Sequence, residues 1–301
     1  PRAFSASVIA ASASTAILIP PSILMVLYSL LTEVSVGRLF AAGIGPGLTL
    51  FVLVSLYIGG RCWLQPHLGP ALPVEERADW SQKIRSLKAV ILPIMIVVIV
   101  LGAIFGGFAT PTEAAAIGVF GSLVATLING QLTWKVLHDA SIATLKMTAL
   151  VMWILLAAHT FSTAYTALGA QSLISDLMGY IPGGRWGALF FMLVLLFFFG
   201  MVLDPVGIML ITLPVFLPVV RDAGFDPIWF GILFIIMMEV GYMTPPFGFN
   251  LFYLKGVAPP DVTMGDIYAS VFPYVVVTLI GVALIILFPE IALYFPRLFY
   301  G

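Results

Sequence analysis

Asp204 is the residue whose setting asks most for a chemical explanation. It stands in Gly200-Met201-Val202-Leu203-Asp204-Pro205-Val206-Gly207, between two apolar arms, Trp186 to Leu203 and Ile208 to Val220. A carboxylate at membrane depth is costly and reads by default as functional. No Lys or Arg lies nearby in sequence, so a bound cation is the natural partner. The competing reading is an exposed turn, because Asp-Pro and Gly are common turn signals. A second feature supplies what a hard cation needs. In Gly241-Tyr242-Met243-Thr244-Pro245-Pro246-Phe247-Gly248, a Pro-Pro pair interrupts an apolar stretch. Proline offers no N–H and pushes the preceding residue out of the helical region, so the helix stops and restarts. Unwound backbone from Gly241 to Thr244 frees carbonyls, and the Thr244 hydroxyl adds another oxygen. Such a set suits Na+, which prefers oxygen ligands as other hard cations do. Gly200, Asp204, Gly241 and Thr244 are therefore candidate ion ligands. The half-helix restarting after Pro246 points its positive end at the break, which suits an anionic group. Pro245, Gly248 and Asn250 are the candidates for that contact. The alternative for the small residues here is helix packing.

A matching break stands near the start of the chain, in Ile17-Leu18-Ile19-Pro20-Pro21-Ser22-Ile23-Leu24. Ser12, Ser14 and Thr15 before the prolines are candidates for a second ion site, and Ser22 after them for substrate contact. Ser and Thr in membrane helices also commonly bond their own i−4 carbonyl. Glu239 lies one turn before the second break, in an apolar run. It reads as a protonated acid, a bond to a neighbouring helix or a part of the coupling, and a supporting structural role is the expectation. His159 has no second ligand at i±3 or i±4, which favours a helix–helix hydrogen bond over a metal or proton site. In Thr110-Pro111-Thr112-Glu113, Thr110 or Thr112 can cap a new helix, Pro111 suits its first turn and Glu113 complements the dipole, with a transport role for Glu113 as the alternative. Phe197-Phe198-Phe199 reads as apolar lining or lipid contact. No P-loop, zinc pattern or nucleophile elbow occurs, so an enzyme is not expected, nor any cofactor beyond Na+ as coupling ion.

Such residues need elements that hold them inside a membrane. Of the 301 residues, 61% are hydrophobic and 9% charged, against about 45–50% and about 25% in soluble domains. Mean hydropathy is +1.13. The chain reads as an all-α polytopic membrane protein in contact with the lipid bilayer. A net charge of −1 without a basic stripe excludes nucleic acid as a partner. The single cysteine, Cys62, excludes an intrachain disulfide and any Cys-based metal site. Spans of roughly 20 apolar residues are expected at about 4–31, 38–60, 89–108, 112–129, 141–167, 227–255 and 268–288. An amphipathic connector should run to about residue 182, and the tail from Pro289 to Gly301 should be interfacial. The second arm of the Asp204 hairpin has about a dozen residues, and neither arm comfortably crosses about 30 Å alone. This predicts a re-entrant hairpin. Residues 61–88 hold five of the thirteen Lys and Arg, which places them in the cytoplasm. Lipid tolerates unpaired backbone only where protein or a polar cavity covers it. Two broken helices at matching places in two halves therefore point to a secondary transporter of inverted-repeat design. The chain opens Pro1-Arg2-Ala3 without Met, and the expectation is that it lacks its natural N-terminus.

The chain resembles the large membrane subunit of tripartite ATP-independent periplasmic (TRAP) transporters, the DctM-like permeases. The matching motifs are Ile19-Pro20-Pro21-Ser22, Leu39-Phe40-Ala41-Ala42-Gly43-Ile44-Gly45-Pro46-Gly47, Thr110-Pro111-Thr112-Glu113-Ala114-Ala115, Gly200-Met201-Val202-Leu203-Asp204, Gly224-Phe225-Asp226-Pro227 and Gly241-Tyr242-Met243-Thr244-Pro245-Pro246-Phe247-Gly248. They occur in family order across nearly the whole chain. The resemblance implies an elevator-type sodium-coupled carrier of the ion transporter superfamily, in the inner (cytoplasmic) membrane of a bacterium or archaeon. It also implies a small TRAP membrane subunit that braces the scaffold, and a periplasmic substrate-binding protein that delivers an organic acid anion. One implied sodium site uses Asp204 and the Gly241–Thr244 break. The other uses Ser12 to Thr15 with a first hairpin, and the expectation is that this hairpin and the helices before it are missing from the chain. Ala16 stands where the family often has glycine. Phe247-Gly248-Phe249-Asn250-Leu251-Phe252-Tyr253 is similar to members linked to oxo- or hydroxycarboxylates. The implied organisation is a first broken helix of the transport domain over 1–37, a scaffold helix over 38–60 and a cytoplasmic connector over 61–88. Scaffold helices follow over 89–140, a transport-domain helix, hairpin and second broken helix over 141–255, and a scaffold helix with tail over 256–301.

The leading expectation is thus Na+-coupled import of an organic acid anion with a binding-protein partner. The alternatives are a carrier of the same superfamily that takes carboxylate directly, and a structural membrane subunit of a larger assembly.

Overall fold

The computed structural model describes residues 2–70, 73, 77–170, 180–246, 248–259 and 261–301. Most of the expected connector to residue 182, five residues of the polar stretch 61–88 and Phe247 lie outside the described residues. Among the described residues every regular element is a helix. Among the described residues five helices are long and apolar enough to cross a membrane: Val36–Leu64, Pro111–Ile128, Trp134–Ala167, Pro205–Asp222 and Met264–Leu287. The chain is an all-α, multi-pass membrane protein.

The helices fall into two compact units. One comprises Pro1–Gly69 with Ile154–Gly301, the other Pro70–Trp153. In the smaller unit α4 (Trp80–Phe105) packs on α5 (Pro111–Ile128). Gly118 and Gly121 of α5 face Val100 and Ile96 of α4, leaving 3.3 Å and 3.1 Å to a built Cβ. Thr110 caps α5 and Glu113 bonds back to it at 2.8 Å, a reciprocal box that satisfies the free N–H groups of the first turn. Helix α6 (Trp134–Ala167) begins here, and its last part belongs to the larger unit.

The larger unit contains both breaks. Helix α1 (Arg2–Ala16) ends in short turns, with Ile17, Leu18 and Ile19 donating to the carbonyls of Ser14, Thr15 and Ala16 at 3.2, 3.3 and 3.1 Å. A cis Pro20–Pro21 peptide follows. Ser22 then starts α2 (Ile23–Thr32), accepting the Met25 N–H at 3.5 Å. The long helix α3 (Val36–Leu64) lays Gly43 and Gly47 against this turn. A Cβ on Gly43 would stand 2.5 Å from the Leu18 carbonyl oxygen, and one on Gly47 2.9 Å from Ile19 Cγ1. Only glycine permits that approach.

Helices α7 (Gly184–Gly200) and α8 (Pro205–Asp222) pair around the turn carrying Asp204. The second arm is longer than the dozen residues read from the sequence. It spans 18 residues, because Pro205 takes the first helical position and Pro214 and Pro218 stay within the helix. At 1.5 Å per residue it reaches ~27 Å, close to the ~30 Å of a bilayer core. Helix α9 (Pro227–Tyr242) is buried from Trp229 to Tyr242, as its all-round apolar sequence requires. After the second break come α10 (Phe249–Val257) and α11 (Met264–Leu287). The tail forms α12 (Glu290–Tyr300), which packs on α3 rather than standing free, with the Ile291 carbonyl over Gly45 and the Arg38 guanidinium 5.9 Å from the Tyr300 ring centre.

Candidate functional site

The C-termini of α7 and α9 meet backbone to backbone. A Cβ on Gly200 would lie 2.9 Å from both the Gly241 Cα and the Met238 carbonyl oxygen. The hairpin tip is thereby held against the second break. Asp204 lies just beyond, exposed, as the cap of α8. Its Oδ2 accepts the Val206 and Gly207 N–H groups, each at 3.1 Å. The carboxylate therefore has protein partners where the sequence suggested none. Asp before a helix-starting Pro is itself a capping signal.

At the second break Pro245 and Pro246 have no N–H to return to the Gly241 and Tyr242 carbonyls. The Gly241 carbonyl accepts from Thr244 N at 2.9 Å instead. The Thr244 hydroxyl donates to the Val240 carbonyl at 2.7 Å, so toward other ligands its oxygen offers only lone pairs. Pro245 is exposed and joins Pro246 through a cis peptide. Gly248 begins α10 in the left-handed region, with φ +54°. Asn250, in the first turn of α10, reaches across to α1, its Nδ2 donating to the Ser14 hydroxyl at 3.0 Å.

The residues around the first break separate. Ser14 is buried, 3% exposed, and faces the second break. Thr15 is half-buried and donates to the Ala11 carbonyl at 3.0 Å. Ser12 is exposed. Ser22 is buried as the α2 cap.

Both breaks line one cavity of about 420 Å³, bounded by Ser22, Pro205, Glu239, Tyr242 and Asn250 among others. The starts of α2, α8 and α10 all contribute to it. A helix start carries partial positive charge and favours an anion beside it. A larger cavity of about 530 Å³ between α7, α9 and α11 is walled by apolar side chains and offers nothing to orient a charged ligand. His159 lines a separate cavity with Ser162, Thr166 and Glu33.

The order of motifs along the chain has a counterpart among known proteins. The profile of the tripartite ATP-independent periplasmic transporter DctM component matches residues 1–291. The chain belongs to the DctM family. It is 32% identical to the C4-dicarboxylate TRAP transporter large permease protein DctM of Pseudomonas aeruginosa, over 99% of this chain and 68% of that protein. The ectoine TRAP transporter large permease protein TeaC of Halomonas elongata is 32% identical over 97% and 67%. The 2,3-diketo-L-gulonate TRAP transporter large permease protein YiaN of Escherichia coli is 32% identical over 95% and 66%. As a DctM protein the chain is a TRAP transporter large permease subunit. Glu239, for which the sequence suggests a supporting structural role, is buried at the edge of the 420 Å³ cavity. Thr278 on α11, buried within the apolar run 275–287, carries no sequence signal.

Proposed function

We propose that this DctM protein imports an organic acid anion with Na+, by an elevator motion of the helices that bear the two breaks. A periplasmic binding protein delivers the anion, and a small membrane subunit braces the scaffold in the inner membrane. The observation that carries the anion reading is the convergence of the α2, α8 and α10 starts on the 420 Å³ cavity. The named relatives carry acids of several shapes, which leaves the class of substrate an organic acid. Na+ fits the hairpin-tip residues by donor chemistry. Asp204 keeps Oδ1 beyond its capping bonds, and Thr244 presents an oxygen whose hydrogen is already donated. An ion held there would offset the charge of an incoming anion.

Reconstitution of the permease with its small subunit and binding protein in liposomes tests this reading. Uptake of a radiolabelled organic acid should require both an inward Na+ gradient and the loaded binding protein. Uptake that ignores Na+ removes the sodium coupling, and uptake of free acid without the binding protein removes the delivery step.

A further inference from the structure

Ser14 on α1, Glu239 on α9 and Asn250 on α10 meet beside the 420 Å³ cavity, which Glu239 and Asn250 both line. Asn250 Nδ2 donates to the Ser14 hydroxyl at 3.0 Å. A carboxamide carries donors at one end and an acceptor at the other. What Asn250 shows to the cavity therefore depends on which end Ser14 holds. A hydroxyl alone does not decide this, because it can accept from the amide nitrogen or donate to the amide oxygen. The choice falls to whatever takes the Ser14 hydrogen.

The Ser14 hydroxyl faces the Glu239 carboxyl. Glu239 is 4% exposed, and neither of its oxygens makes a direct hydrogen bond. Buried polar atoms pair with protein or with ordered water. Together with Ser14, Thr15 and Thr278, Glu239 lines a space of about 10 Å³ under Leu18 and Leu50. That volume matches about one water-sized sphere, and four polar side chains suffice to hold one water. Thr15 spends its hydroxyl hydrogen on the Ala11 carbonyl at 3.0 Å, and Thr278 spends its own on the Tyr274 carbonyl at 2.9 Å. Both therefore offer the water only lone pairs. A carboxyl accepts through at least one oxygen whether ionised or neutral. The hydrogens of the water go to these acceptors, and its own oxygen is left to accept from Ser14.

We propose that Glu239 is a positioning residue for substrate binding, which holds one water against Ser14 and so sets the amide of Asn250. With its hydrogen committed to the water, Ser14 can only accept from Asn250. The amide nitrogen is thereby fixed at Ser14, and the second N–H and the carbonyl of Asn250 keep one orientation toward the cavity. Without Glu239 the water loses an acceptor, the Ser14 hydrogen is free to turn to the amide oxygen, and Asn250 no longer presents one face. No charge on Glu239 is required. The inference rests on the reading that the 420 Å³ cavity takes the organic acid.

The test uses the full-length permease with its partner subunits in liposomes and follows uptake of a radiolabelled organic acid at saturating Na+. Glu239→Leu removes both oxygens and keeps an apolar filling. It should raise half-saturating acid about tenfold, the worth of one hydrogen bond, and leave the maximal rate unchanged. Glu239→Gln still accepts through its amide oxygen and should stay within about twofold of wild type. In an Asn250→Ala background, Glu239→Leu should add nothing to half-saturating acid, because it acts through Asn250. A folded Glu239→Leu protein with wild-type half-saturating acid overturns the role. So does a Glu239→Gln protein as impaired as Glu239→Leu, or a loss that adds to that of Asn250→Ala. Should Glu239→Leu fail to fold, Thr278→Val removes another acceptor of the water and should raise half-saturating acid several-fold, and an unchanged value overturns the role equally. Wild-type half-saturation in Asn250→Ala brings down the reading of the cavity as the acid site, whereas an impaired Asn250→Ala with an unimpaired Glu239→Leu removes only the role of Glu239.

Discussion

Gly241 and Gly200 touch through their backbones: a Cβ built on Gly241 would stand 2.5 Å from the Gly200 Cα and 2.7 Å from its carbonyl carbon. No side-chain rotation relieves a clash with backbone. Gly241→Ala should therefore force α7 from α9, costing ~1–3 kcal/mol or more, the range for overpacked interiors. Thermal melting in detergent by fluorescence-detected size exclusion measures this. Gly59→Ala is the control, because its Cβ meets nothing within 4 Å. It should hold or raise stability, since alanine is the better helix former. Equal melting of the two variants would mean that the glycine contact is not tight.

Asp204 has a structural duty as helix cap and a proposed duty as ion ligand, and one substitution separates them. Asn caps a helix about as well as Asp. Asp204→Asn should thus keep stability within ~0.5 kcal/mol while Na+-dependent uptake falls by about tenfold or more. Asp204→Ala should lose the same uptake and in addition about 1 kcal/mol of stability. Normal sodium stimulation in the Asn variant removes Asp204 from the ion site.

The helix breaks were legible because their cause is local. Pro20, Pro21, Pro245 and Pro246 withdraw N–H groups whatever surrounds them, and the helices do stop at Ala16 and Tyr242. The Thr110–Glu113 cap was legible for the same reason, since all its bonds lie within four residues. Contacts made across the fold left no such trace. Nothing in the sequence tells Ser14, which faces Asn250, from Ser12, which is exposed. The burial of Glu239 likewise depends on which faces of α1 and α11 turn toward it. At Asp204 a local signal is present too, since Asp directly before a helix-starting Pro is a capping pattern.

The basic residues of 61–88 predict that the end of α3 faces the cytoplasm. Gln65, just past that helix, is exposed. In a Cys62→Ser background, Gln65→Cys should resist a membrane-impermeant maleimide added outside right-side-out vesicles. It should label once the vesicles are opened. Labelling of sealed vesicles would reverse the orientation and, with it, the face from which the breaks receive substrate.

The bond between Asn250 and Ser14 joins the two broken helices directly, across 236 positions of sequence. Helix packing alone would leave the breaks free to shift past one another, whereas a part-buried hydrogen bond fixes their register at a contribution of ~0.5–1.5 kcal/mol. Ser14→Ala, Asn250→Ala and the double variant form a cycle that isolates this bond from other losses at each position. Unfolding followed by SDS titration in mixed micelles should give an interaction energy of about 1 kcal/mol. The same cycle on half-saturating substrate should also be non-additive, because the restarted helix that carries Asn250 lines the anion-receptive cavity. Losses that add within ~0.3 kcal/mol in both measurements would mean that the two breaks act independently.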